Sequence, residues 1–273
     1  MTGSDFDLEG VRGRISVRTW PNADARFIVL IAHGYGEHIG RYGHVAARLE
    51  RAGAVVYGPD HVGHGRSDGE RVLIEDIDEV AADLHRVAER ARQHHPGLPL
   101  VLLGHSLGGM IAARYAQLHR QELAGLVLSA PAVGGNPELE ALLLMDPIPD
   151  IPIDPGILSR DVEVGRRYAE DPLVWHGPFK RPTVNAMATA IAAIAEGPTL
   201  DGLPVLWIHG EADVLAPLAA ARPAVERLGG DRLEQRIYPD AFHEIFNELN
   251  QDEVLDDVVA FVEHALALPP RGA

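Results

Sequence analysis

The sequence predicts an α/β fold, a mostly parallel central sheet flanked by helices on both faces, with a helical insertion between two late elements. Three observations carry that expectation. Short continuous apolar runs recur along the chain, each closed by Gly, Pro, Asp or Ser, and strands buried on both faces read as such runs. Segments of helical period lie between them, and strand, helix, strand in alternation builds a parallel sheet covered by helices. The alternation then stops between 134 and 196, where the chain is proline-rich and apolar without a strand-like run.

Taken in order, "RGRISVRTW" (12–20) alternates polar and apolar residues as a half-exposed strand of an opening hairpin does. Buried strands are expected at "RFIVLIAHG" (26–34), "AVVYGPD" (54–60), "LPLVLLGHS" (98–106), "AGLVLSAP" (124–131), "LPVLWIHG" (203–210) and "EQRIYPD" (234–240). Helices are expected over 41–53, 72–95, 106–120, 217–230 and 252–268. The domain reading is a core made of 1–133 and 197–273, with 134–196 as a cap or lid above the strand ends. Ligands of such sheets bind outside the carboxyl ends of the strands.

Composition narrows the function classes. A chain of 273 residues that is 46% hydrophobic suits one domain with a sizeable core. Its apolar runs are broken well before the roughly 18 residues that a membrane-spanning helix needs. The opening "MTGSDFDLEGVRGR" has neither the basic start nor the apolar stretch of a secretory signal, so a cytoplasmic location is expected. With no cysteine, disulfides, thiolate metal sites and cysteine nucleophiles are excluded together. A net charge of −16 opposes a nucleic-acid partner and a polybasic attachment to anionic lipid. Lys180 is the only lysine, and the arginine and alanine bias carries no functional weight.

The chemistry centres on Gly104-His105-Ser106-Leu107-Gly108, a G-x-S-x-G match between an expected strand and an expected helix. That context makes it a nucleophile elbow, a sharp turn in which glycines on both sides let strand and helix pass closely while the hydroxyl projects from the sheet. The ordinary alternative is a tight turn with a serine N-cap. A serine nucleophile needs a base, and the base an orienting acid, in the chain order Ser, Asp or Glu, His. His243, in "YPDAFHEIF", follows a strand directly and is the candidate base, whereas His264 falls inside an amphipathic helix. Asp213, in "WIHGEADVLAP", is preferred to Glu211 as the acid because it leads into the next turn and helix, with Asp240 as the fallback. The oxyanion donors expected are the backbone N–H groups of Leu107 and of Tyr35, the latter in "IAHGYGEH" after an early strand. His33 and His38 lack a third ligand at metal-binding spacing, so neither a metal nor a cofactor is expected. "GPDHVGHGRSDG" (58–69) lacks the Walker lysine of a phosphate cradle and is read as a structural loop beside the elbow.

With these residues in view, the chain resembles the monoacylglycerol lipases and related serine lysophospholipases of the α/β-hydrolase superfamily. "AHGYGEHIGRY", "GPDHVGHGRSDG", "LGHSLGG", "GILSRDVEVGRRYAEDPLV", "HGEADVLAP" and "FHEIFNE" stand in the family's order and spacing, from about Phe27 to Leu268. The resemblance implies hydrolysis of a monoacylglycerol to fatty acid and glycerol, a triad of Ser106, Asp213 and His243, and oxyanion donors on Tyr35 and Leu107. It also implies a polar glycerol pocket at Glu37, Arg41 and Tyr168, although Glu37 and Arg41 also suit a structural ion pair. Phe246 stands where mammalian members carry a second histidine, so one polar contact to glycerol does not carry over. The proline-rich part of the cap differs too, and acyl-chain preference is not transferred.

The expected partner is a small lipid ester, with a transient membrane or micelle contact through the cap left open. Leu142, Leu143, Leu144, Met145, Ile148, Ile151 and Ile157 are candidates either for an acyl tunnel or for the cap's own core. Rival readings are a lysophospholipase or general carboxylesterase, a C–C bond hydrolase or perhydrolase on the same fold, and a non-catalytic receptor. A haloalkane dehalogenase is excluded, because its nucleophile is a carboxylate.

Overall fold

The computed structural model describes residues 3–137, 141 and 144–268. An eight-stranded sheet runs in the order β1-β2-β4-β3-β5-β6-β7-β8. Its strands are β1 (Ser4–Gly10), β2 (Gly13–Trp20), β3 (Phe27–Ala32), β4 (Ala54–Pro59), β5 (Leu100–His105), β6 (Gly125–Ser129), β7 (Val205–Gly210) and β8 (Leu233–Tyr238). The opening hairpin is antiparallel and β2 pairs antiparallel with β4, while every pairing from β4 across to β8 is parallel. β3 to β7 are buried along their whole length, which is why their sequences are continuously apolar.

Helices among the described residues include α1 (Gly43–Arg51), α2 (Ile77–His94), α3 (Leu107–His119), α4 (Val162–Glu170), α5 (Arg181–Glu196), α6 (Leu218–Gly229) and α7 (Gln251–Ala267). α1 and α7 close one face of the sheet through Val45, Leu49, Val258 and Phe261. α2, α3 and α6 close the other through Leu84, Ile111 and Val225, joined by Trp207 and Tyr115, which are fully buried. No described helix is long and apolar enough to cross a membrane.

Two expectations need correction. The helix read over 72–95 begins only at Ile77, with the Asp76 carboxylate accepting the Asp78 N–H. The residues before it are tied elsewhere: the Thr183 hydroxyl accepts the Ile74 N–H at 2.9 Å and donates to the Val72 carbonyl at 2.7 Å. That contact spans more than a hundred residues, so helical period could not reveal it. The apolar run of the insertion is the second correction. Leu144, Met145 and Ile151 point outward, 89%, 48% and 58% exposed, while Leu142 and Leu143 lie outside the described residues. The apolar groups that this region buries lie elsewhere: Ala186, Met187, Ala190 and Ile194 of α5 join the main core, and Leu158, Tyr168 and Val174 form a small cluster of their own.

Strand order marks the place where sheets of this kind bind ligands. The chain leaves β3 toward β4 on one side, then crosses back to β5 on the other, so the loops after β3 and β5 part company above a crevice. Those loops begin with His33 and Ser106.

Candidate active site

Ser106 links β5 to α3 with φ 54° and ψ −117°, a conformation that costs a non-glycine residue about 1–3 kcal/mol. Three backbone bonds hold it there. Its N–H donates to the Ser129 carbonyl at 2.9 Å, and its own carbonyl accepts from Met110 and Ala132, each at 3.1 Å. The Ser106 side chain makes no capping bond to the helix, which removes the N-cap reading. The flanking glycines are required by backbone proximity. A Cβ on Gly104 would meet the Gly108 carbonyl oxygen at 2.3 Å, and one on Gly108 would meet the Ala32 oxygen at 2.1 Å.

His243 lies in the loop after β8, buried, and its Nδ1–H donates to Asp213 Oδ2 at 2.7 Å. Asp213 Oδ1 accepts the N–H groups of Leu215 and Ala216 at 2.8 and 2.9 Å, so the carboxylate cannot swing away. A neutral histidine backs the pair. Trp207 Nε1–H donates to His209 Nδ1 at 3.0 Å, which leaves the His209 proton on Nε2, 2.8 Å from the Ala216 carbonyl and 3.3 Å from Asp213 Oδ2. Burial alone would raise the Asp213 pKa; the charge of His243 and the hydrogen bonds from His209 and His243 overcome it and hold the carboxyl well below the usual range. For His243, burial favours the neutral ring, but Asp213 outweighs it and the pKa is raised. Asp240, the fallback acid, is exposed on a left-handed turn at φ 58°, and His264 is exposed on α7.

The loop after β3 is pinned by a stack of buried histidines that the sequence reading did not assign. The His61 N–H donates to His33 Nε2 at 3.1 Å, so the His33 proton sits on Nδ1 and donates to the Gly34 carbonyl at 2.8 Å. His61 Nε2–H in turn holds the His33 carbonyl at 3.1 Å, with the two rings 4.1 Å apart. A peptide unit is planar, with its C=O and N–H opposed. Holding the Gly34 carbonyl on His33 therefore directs the Tyr35 N–H the opposite way. Burial pushes the His61 and His64 pKa values down to about 3 and about 4, and the stack stays neutral. His38 is engaged separately, with Asp171 Oδ2 at 2.9 Å and the Gly40 N–H at 3.2 Å.

A cavity of about 240 Å³ opens onto Ser106 and His243. Its apolar wall comes from Ile153, Leu158, Val184, Met187, Ile191 and Leu215, not from the exposed run at 144–151. Glu37, Tyr168 and Glu244 line it as well. Arg41 lies behind them, donating from Nη1 to Glu37 Oε2 at 2.6 Å and in a fork to both oxygens of Glu244 at 2.7 Å. Its guanidinium also lies 5.2 Å over the Tyr168 ring. Phe246 is packed in the core beneath α7 and away from this cavity. Two neighbours of the candidate base went unassigned in the sequence: His105, whose ring packs 4.8 Å from that of His243, and Glu244. The signal for Glu244 was an acid directly after the base in "FHEIFNE".

The Glu37–Arg41–Glu244 group is a stability element with a testable sign. All three side chains are nearly buried, at 5%, 12% and 6% exposure. Burial would raise the Glu244 pKa, and Arg41 reverses that and holds it low. The resulting stabilisation is complete above the ordinary Glu value near pH 4.3 and is lost as pH falls toward the depressed folded value. Arg41→Met strands two buried carboxylates and is expected to cost about 3–5 kcal/mol in urea unfolding at pH 7. The same variant should lose the wild type's steep fall in stability below about pH 4.

A family model described as serine aminopeptidase, S33 (Hydrolase_4) matches residues 23–250. The monoacylglycerol lipase of Mycolicibacterium smegmatis is 39% identical over 272 residues, covering 96% of this chain and 97% of that protein. Rattus norvegicus monoglyceride lipase is 31% identical, covering 92% and 87%. The crystal structure of Paleococcus ferrophilus monoacylglycerol lipase superposes with a TM-score of 0.80 at 28% identity, over 92% of this chain and 99% of that one. With such similarity along nearly its whole length, the chain is a carboxylic ester hydrolase and belongs to the monoacylglycerol lipase family of the α/β-hydrolase superfamily.

Proposed function

We propose that this chain hydrolyses monoacylglycerols to fatty acid and glycerol through an acyl-enzyme on Ser106. The observation that carries the reading is one cavity that holds Ser106 and His243 between an apolar wall and a small polar set. An acyl chain gains roughly 0.8 kcal/mol per buried CH₂ on the first, and a short polyol finds hydrogen-bonding partners on the second.

In this mechanism His243 Nε2 takes the Ser106 proton as Oγ attacks the ester carbonyl, since Nδ1 is committed to Asp213. The N–H groups of Tyr35 and Leu107 stabilise the oxyanion, helped by the N-terminus of α3. The tetrahedral intermediate collapses, and glycerol leaves with the proton from His243. Water then gives a proton to His243 and attacks the acyl carbon, and the fatty acid departs as His243 returns that proton to Ser106 Oγ. Asp213 holds the ring tautomer and stabilises the imidazolium. Glu37 and Tyr168 face the glycerol end, and Arg41 acts from behind by fixing Glu37 and Glu244.

The family model's peptidase description raises a second substrate class, because an aminopeptidase must receive a substrate ammonium. The oxygens of both carboxylates at the polar end are already taken up by Arg41, the Gly34 N–H, the Tyr42 hydroxyl and Asn247, so neither is free to receive an ammonium and a neutral headgroup is favoured. Residues 134–196 act in this reading as a cap, with Leu144, Met145 and Ile151 forming an apolar edge for a micelle or bilayer.

The deciding experiment compares turnover of a monoacylglycerol, a diacylglycerol, a lysophospholipid, a short-chain ester and an aminoacyl amide. Preference for the monoacylglycerol is expected; equal or better kcat/KM on the lysophospholipid or short-chain ester would replace the reading with a lysophospholipase or general carboxylesterase. The oxyanion loop supplies a further prediction. His33→Ala should lower kcat by about 10²-fold, the loss seen when an oxyanion donor is removed, with little change in KM. His33→Asn, whose amide N–H can reach the Gly34 carbonyl, should recover part of that loss.

A further inference from the structure

A second group of coordinating side chains lies far from the cleft. His85 stands on α2, His119 ends α3, and Glu122 follows in the short 3₁₀ turn Arg120–Glu122. One ligand atom from each lies within 4.8 Å of the other two. The imidazole rings stack with centroids 4.0 Å apart. Nδ1 of each faces one carboxylate, with His85 3.4 Å from Oε2 and His119 3.6 Å from Oε1 of Glu122. Bonds of roughly 2.0–2.2 Å to a tetrahedral zinc ion set ligand atoms about 3.3–3.6 Å apart. The His119 Nδ1–Glu122 Oε1 separation is one edge of that length, and His85 offers its ligand atom within 4.8 Å of both partners.

We propose that His85, His119 and Glu122 form a binding site for a divalent transition-metal ion of the zinc type, with water at the fourth corner. Two imidazoles and a carboxylate are a donor set that such ions take in preference to calcium or magnesium. The carboxylate is already oriented from outside the site. Arg92 donates to Glu122 Oε2 at 2.7 Å and to its backbone carbonyl at 2.9 Å, and the Tyr115 hydroxyl donates to Oε2 at 3.0 Å. Those bonds hold one oxygen and leave Oε1 turned toward His119, the arrangement in which outer contacts support a ligating carboxylate. Side-chain exposures of 23%, 28% and 29% give an ion and its water a path in. Binding turns the two rings out of their stack so that the Nδ1 lone pairs converge on the ion.

The position assigns the site a structural role. α3 has 13 residues and so spans about 20 Å, with Ser106 before its first turn and His119 at its last. An ion at the far end ties α2 to the α3 terminus and does not reach a bound ester. The test uses the full chain after treatment with a chelator and dialysis, titrated with zinc sulfate by calorimetry and followed by thermal melting. One equivalent should bind and raise Tm, and His85→Ala and His119→Ala should each weaken that binding by about 10- to 100-fold. His85→Gln and His119→Gln provide variants of similar polarity, and matched metal-free melting curves certify that each is folded. Absence of saturable binding to the wild type would overturn the proposal. Equal affinity in the wild type and the four variants would also overturn it, by assigning the ion to others among the 14 histidines.

Discussion

Ser106→Ala is expected to lower kcat by about 10⁴- to 10⁶-fold on any ester the wild type cleaves, and to abolish labelling by a fluorophosphonate. The hydroxyl does little else. It makes no capping bond to α3, and the contacts that hold the turn run through the residue's backbone N–H and carbonyl. Removing Oγ thus leaves the elbow's supports intact, and the metal-free melting temperature should stay within a few degrees of wild type. The strain gives an independent check. Because φ is 54° at a residue with a Cβ, Ser106→Gly should be inactive yet more stable by about 1 kcal/mol, as the left-handed turn no longer opposes a side chain. An active Ser106→Ala protein, or wild type that resists the label, would remove Ser106 as the nucleophile and the acyl-enzyme with it.

Legibility followed the range of the forces involved. Buried parallel strands declare themselves because each must be apolar on both faces, and β3 to β7 coincide with the apolar runs to within a few residues. The elbow was legible for a related reason: Gly104 and Gly108 answer to a backbone contact that no other residue tolerates. What escaped was decided by distant partners. Val72 and Ile74 sit in a helix-like pattern but are bound to Thr183. Glu244 pairs with Arg41 across 203 positions. Periodicity records that a side chain is buried, or that it lies on one face, without saying against what. The leucines and isoleucines of the insertion illustrate the limit, since composition suggested either a lining or a core of the cap while Leu144, Met145 and Ile151 face outward. His33 and His61 were visible as residues, yet their service to the Gly34 carbonyl depends on a tautomer that only the hydrogen-bond partners define.

Asp213→Asn should lower kcat by about 10⁴-fold with the fold retained. The two carboxylate oxygens have different duties: Oδ1 takes the Leu215 and Ala216 N–H groups, and Oδ2 takes the His243 Nδ1–H. An asparagine carbonyl will keep the two backbone donors, because turning the amide group toward them would set N–H against N–H. Its NH₂ group then faces His243, which accepts at Nδ1 and carries its proton on Nε2, the tautomer that cannot take a proton from Ser106. Loss of the negative charge acts in the same direction. In the wild type Asp213 raises the His243 pKa, so kcat/KM should rise with pH to a plateau whose acid limb lies above the ordinary histidine value near 6.5. In Asp213→Asn the residual activity should show that limb displaced to lower pH. Asp240→Asn, altering the exposed turn carboxylate, should match wild type in both respects. If Asp240→Asn instead carried the large loss, or if the acid limb stayed in place in Asp213→Asn, the acid of the triad would have to be reassigned.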